Sequence, residues 1–151
     1  MFEICENVCT VIFLGICCYQ DLKSYTIPVF LLPVFFITSG ILKLLFCRGF
    51  TVNNIWGLLP GIILFGISKL SKEAIGEGDC YLFLYLGFVT GAQSVFLVMT
   101  IAFLLAAGYA LYLIFVKKLD KQTRFAFAPF IFMAHLLLFS ALLFHRGAFQ
   151  I

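Results

Sequence analysis

CYLFLYLGFVTGAQSVFLVMTIAFLLAAGYALYLIFV, residues 80–116, runs for 37 positions without one charged side chain. As a single straight helix it would be about 55 Å long at 1.5 Å per residue. The hydrocarbon core of a bilayer is only about 30 Å thick. The run therefore has to fold back on itself, and Thr90-Gly91-Ala92-Gln93-Ser94 is its one polar break. We expect a short span before that break and a full span after it. The composition of the whole chain agrees: 64% of the 151 residues are hydrophobic and 11% are charged. A soluble domain runs nearer half apolar and a quarter charged, so the expected class is an all-α integral membrane protein.

Working outward, four more apolar runs are bounded by polar turns. Val8 to Tyr19 stops at Gln20-Asp21, and Ile27 to Leu42 ends near Lys43, which is expected to snorkel toward the headgroups. Ile55 to Ser68 is short and interrupted by Gly57, Pro60, Gly61 and Gly66, and Phe125 to Phe144 is the last. Glu3 and Glu6 stand where a signal peptide would carry basic residues, so the first run is read as a retained span. The expectation is about six transmembrane helices in one membrane-embedded domain, residues 1–151, with no internal repeat.

Six spans place the loops alternately on two faces. The loops at 20–27, 69–79 and 117–124 carry Lys23, Lys69, Lys72, Lys117, Lys118, Lys121 and Arg124, against Lys43, Arg48 and Arg146 on the other face. This positive-inside bias predicts a cytoplasmic first face, with both termini outside. The net charge of +3 is distributed over these short loops and gives no sign of a nucleic-acid partner. Anionic lipid is the simplest partner for the basic loop 117–124.

Upstream of the opening run stands Gly76-Glu77-Gly78-Asp79. Asp21 ends the first predicted span and Asp79 begins the fourth, with two spans between them, so both carboxylates are expected on the cytoplasmic side. That parity depends on the short third run crossing fully. Two carboxylates at close range share a proton and titrate as a pair, the requirement of aspartic-protease chemistry. Gly76 and Gly78 would let the backbone turn sharply and a substrate approach. Taken singly, each is better read without catalysis, Asp79 as a helix N-cap and Asp21 as a solvated loop residue.

The motifs together resemble those of the type IV prepilin peptidases. Gln20-Asp21-Leu22-Lys23-Ser24-Tyr25-Thr26-Ile27-Pro28 is similar to the first active-site motif: Asp, a basic residue two later, then Ile-Pro. Gly76-Glu77-Gly78-Asp79 resembles the second, shared with preflagellin peptidases, presenilin and signal peptide peptidase. Phe125-Ala126-Phe127-Ala128-Pro129-Phe130 resembles the opening of the family's last helix. The resemblance implies a membrane aspartic endopeptidase that removes leaders from prepilin-like substrates at the cytoplasmic face of a prokaryotic cell membrane. By it Asp21 and Asp79 are the catalytic pair, with Lys23, Ile27, Pro28, Gly76, Gly78 and Pro129 as motif support. Val29 stands where the family usually has Asn, Tyr81 where Lys is common, and Phe127 where the first Pro of the last motif is expected. The cytoplasmic insert of larger relatives, with its paired cysteines and methyltransferase activity, has no counterpart here, so peptidase activity alone is expected.

Other residues carry less. Cys5, Cys9, Cys17, Cys18, Cys47 and Cys80 form neither a CxxC pair nor a zinc-spaced cluster, so no metal or cofactor is expected. Gly57-x-x-x-Gly61 and Gly87-x-x-x-Gly91 suit close internal helix packing. His135 is read as a hydrogen-bonded buried histidine, with proton relay as the alternative. Glu73, Glu77 and Asp120 are the acids best suited to attract a basic leader. Asp79 is expected at or just beneath the membrane surface. A small multi-span transporter and a catalytically inactive assembly scaffold are the competing functional readings. Transport sites favour ionisable groups near mid-bilayer, whereas here the acids cluster at one face. The oligomeric state is not encoded in any of these features.

Overall fold

A computed structural model describes residues 2–27, 30–45, 52–71, 76–116 and 126–148. Everything regular in them is helical. The elements are α1 (Phe2–Ser24), α2 (Leu31–Leu45), α3 (Val52–Gly57), α4 (Leu59–Leu70), α5 (Glu77–Thr90), α6 (Ala92–Phe115) and α7 (Ala128–Ala148).

The opening run folds where its polar break lies. α5 ends at Thr90 and α6 begins at Ala92, with Gly91 between them at φ +83°. Only glycine adopts that left-handed conformation at no steric cost. α6 is a 24-residue helix, long and apolar enough to cross a bilayer, while α2 and residues 128–143 of α7 are shorter apolar helices.

The third predicted span is two helices in near continuity. Leu58, between α3 and α4, itself has helical dihedrals of φ −73° and ψ −24°. Pro60 lies in the first turn of α4 and has no N–H to offer the preceding turn, which is why the ladder is interrupted. The Leu58 N–H donates instead to the Ile55 carbonyl at 3.1 Å.

Side-chain pairings fix the direction of each helix. Along α5, Leu84 lies over Gly61, the Tyr81 ring meets Phe65 at a tilt with centroids 5.7 Å apart, and Glu77 pairs with Lys69. Partner numbers rise on one side as they fall on the other, so α3–α4 runs antiparallel to α5 throughout. α2 runs parallel to α5, with Ser39 on Tyr85 and Lys43 on Val89. α1 runs antiparallel to α2, with Phe13 against Phe35 and Glu6 against Lys43. The C-terminal end of α1 and the N-terminal ends of α5 and α7 thus lie at one end of the bundle.

The core is aromatic and aliphatic: Phe13, Phe83, Tyr85, Leu86, Val95 and Ile131 are fully buried. Phe13 meets the Tyr85 ring edge-on at 4.7 Å. The outer surface is also apolar, with Tyr19, Phe30, Leu70 and Phe115 among its most exposed side chains. An exposed apolar surface of this extent suits lipid contact.

Lys43 corrects one expectation. It does not snorkel outward but is buried at 6% exposure, its Nζ 3.0 Å from Glu6 Oε1. The Val89 carbonyl in α5's last turn and the Glu6 carboxylate hold it inside.

Candidate active site

Asp21 occupies the last turn of α1 and is 7% exposed, so it is a buried group rather than a solvated loop residue. Its carbonyl accepts the Tyr25 N–H at 2.9 Å, and Tyr25 closes the helix in the left-handed region at φ 51°. Its carboxylate Oδ2 accepts the Ala128 N–H at 3.0 Å. Ala128 is the first residue of α7, and the first N–H groups of a helix have no partner within it. Pro129 has no N–H, and the Phe130 N–H donates to the Phe127 carbonyl at 3.0 Å. Asp21 therefore takes a backbone donor at that helix start, where the helix dipole also favours a carboxylate. Residue patterns gave no warning of this contact. The signal was the Ala128-Pro129 start itself, which advertises an orphan N–H.

Asp79 lies in the first turn of α5, half-buried, with Gly76 at the cap position before it. Asp79 is thus not the N-cap; its own N–H donates to the Gly76 carbonyl at 3.1 Å. Asp21 in the last turn of α1 and Asp79 in the first turn of α5 lie at the same end of the bundle.

The first two motifs are in physical contact. A Cβ on Gly78 would stand 2.8 Å from the Ile27 Cβ, so Ile27 is seated directly on Gly78. A Cβ on Gly76 would stand 3.1 Å from Asp79 Oδ2, so the carboxylate lies over that glycine. Neither glycine has a positive φ. Their use is space for Ile27 and for the carboxylate, not the backbone freedom expected from the sequence.

Among the remaining residues, Lys23 is exposed in the last turn of α1, and Pro129 sits in the first turn of α7. Pro28 and Val29 lie outside the described residues, as do Glu73, Asp120 and the loop 117–124. Glu77 pairs with Lys69, whose ammonium also lies 5.5 Å from the Phe65 ring centre, so the acidic charge is already met by a neighbour. Cys9, Cys17, Cys18 and Cys80 are free thiols. His135 is 1% exposed, and neither ring nitrogen has a hydrogen-bond partner among the described residues, contrary to the expectation that it would be bonded.

No curated protein and no solved structure matches the chain. The sequence model of the type IV leader peptidase family matches residues 8–111, well over half of the chain and inclusive of both aspartates and of the helices that bring them to one end. The chain belongs to the type IV leader peptidase family, whose members are membrane-embedded proteases.

Proposed function

We propose that the protein is a multi-pass membrane aspartic endopeptidase, with Asp21 and Asp79 as its catalytic pair. The observation that carries this reading is their convergence. Residues 58 positions apart in sequence lie at one end of the bundle, where Ile27 of one motif rests on Gly78 of the other. One carboxylate takes a proton from water as the oxygen attacks the scissile carbonyl carbon. The other gives its proton to the carbonyl oxygen, and collapse of the tetrahedral adduct returns a proton to the departing amine. The Ala128 N–H holds Asp21 in a fixed orientation for this exchange. The substrates are leader peptides of prepilin-like proteins, cut at the cytoplasmic face of a prokaryotic cell membrane, where a basic leader meets an apolar helix. The excess of Lys and Arg on the aspartate side supports that orientation.

The test is cleavage of a co-expressed prepilin-like substrate by the wild type, Asp21→Asn, Asp79→Asn and the double variant. Residues that act as a unit are strongly non-additive, so each single change should cost on the order of 10³-fold or more, about as much as both together. Full activity in either single variant overturns the mechanism. Absence of cleavage by the wild type favours the inactive scaffold.

A further inference from the structure

α5 carries Asp79, and close packing of Gly87 on Gly57 and of Leu84 on Gly61 fixes only the side of it that faces α3 and α4. Cys80, Leu82, Phe83, Tyr85, Leu86, Gly87 and Val89 are all buried, so the helix is covered around nearly its whole circumference. A helix apolar on every side has no polar stripe to define its rotation. Directional contacts add to that packing along the helix, with Lys69 on Glu77 near the aspartates and Ser39 on Tyr85 midway, and two more grip the end opposite the aspartates. Lys43 Nζ donates to the Val89 carbonyl at 3.1 Å, and Asn54 Nδ2 donates to the Phe88 carbonyl at 2.8 Å. Both carbonyls belong to the last turn of α5, where no intrahelical N–H remains for them. The ammonium also complements the negative end of the helix dipole. Its charge is balanced by Glu6 Oε1 at 3.0 Å, and Glu6 and Lys43 are each 6% exposed.

A buried ion pair is a poor source of net stability, because desolvation offsets most of the attraction and apolar replacements are often neutral. In some proteins such a pair serves instead to fix one register among several. Val89 is ten residues from Asp79, about 15 Å along the axis, and a slip of one residue turns a side chain by about 100°. Such a slip swings Asp79 away from Asp21.

We propose that Lys43, charge-balanced by Glu6, is a positioning residue: by gripping the last turn of α5 it sets the depth and rotation that bring Asp79 to Asp21. The proposal rests on the reading of these two aspartates as the catalytic pair. The decisive variant is Glu6→Leu/Lys43→Leu in the full chain, which removes both charges without leaving one buried alone. Purified and reconstituted in lipid, it should keep a thermal midpoint close to wild type. Its kcat should fall about tenfold to a hundredfold with KM nearly unchanged, the scale expected when a reacting group is misplaced by about 1 Å. Lys43→Arg, which keeps charge and donors, should retain most of kcat. In a background freed of native cysteines, oxidative cross-linking of the D21C/D79C pair should drop when Glu6 and Lys43 are replaced. Should the leucine pair fail to fold, Glu6→Gln/Lys43→Met carries the same readouts. Unchanged kcat together with unchanged cross-linking overturns the positioning role. Full activity of Asp79→Asn would instead overturn the catalytic reading, and cross-linking alone would then decide whether Lys43 sets α5.

Discussion

Asp21 accepts two hydrogen bonds, one at each end of the residue: its carbonyl closes α1 through Tyr25, and its carboxylate closes the start of α7 through Ala128. Asp79 is oriented differently, by the bare surface of Gly76 beneath it. A methyl at position 76 would press on Oδ2, so Gly76→Ala should lower kcat about tenfold while the protein stays folded, as measured by kinetics beside a thermal melt. At position 78 the methyl meets Ile27 instead. Gly78→Ala should lower activity, and adding Ile27→Ala should recover part of the loss; a double-variant cycle showing no coupling would refute that contact. The glycines and aspartates were legible in the sequence as a set. The reason for the glycines was not, because at ordinary φ a glycine gives no hint of which side chain will come to rest on it.

At the scale of elements, α3 and α5 meet backbone to backbone. A Cβ on either Gly57 or Gly87 would overlap the other's carbonyl group, and a Cβ on Gly61 would stand 2.6 Å from the Leu84 side chain. Nothing lies within 4 Å of the corresponding position on Gly66. Gly87→Leu should therefore destabilise by about 3 kcal/mol or more, whereas Gly66→Ala should be neutral or gain up to about 1 kcal/mol from helix propensity. Thermal melts in one detergent test both. The close packing was readable from the Gly-x-x-x-Gly spacings, and the turn at Gly91 from the simple excess of length over one span. The break at Leu58 was harder to place, since Pro60 permits a bend without saying where the ladder resumes. Burial of Lys43 was not readable at all. A lysine near the end of an apolar run looks like an anchor until Glu6, 37 residues earlier, is brought beside it by the α1–α2 pairing.

For the molecule as a whole, alternating helix directions put Asp21 and Asp79 at one end and the Glu6–Lys43 pair at the other. That arrangement was legible from the two apolar runs between the aspartates, of which α3 with α4 forms the second and runs antiparallel to α5. On the proposed reading, the Lys and Arg bias puts the aspartate end in the cytoplasm. Lys23 is exposed near the aspartates, and Val52 is 69% exposed at the opposite end. In intact cells carrying a cysteine-free background, Val52→Cys should react with a membrane-impermeant maleimide at once, and Lys23→Cys only after permeabilisation. The reverse order would invert the orientation, and equal labelling would refute it.

The bond from the Ala128 N–H to Asp21 has a consequence in time. Both aspartates leave the ribosome well before residue 128, so a nascent chain holds its acids without the last helix that orients one of them. Proteolytic competence should then arrive late in biosynthesis, when α7 docks along α1, protecting neighbouring membrane proteins from a half-made enzyme. A chain stopped at residue 116 should insert yet cleave nothing. Co-expression of residues 117–151 as a separate piece should restore cleavage, and activity in the truncated chain alone would show that Asp21 needs no such partner.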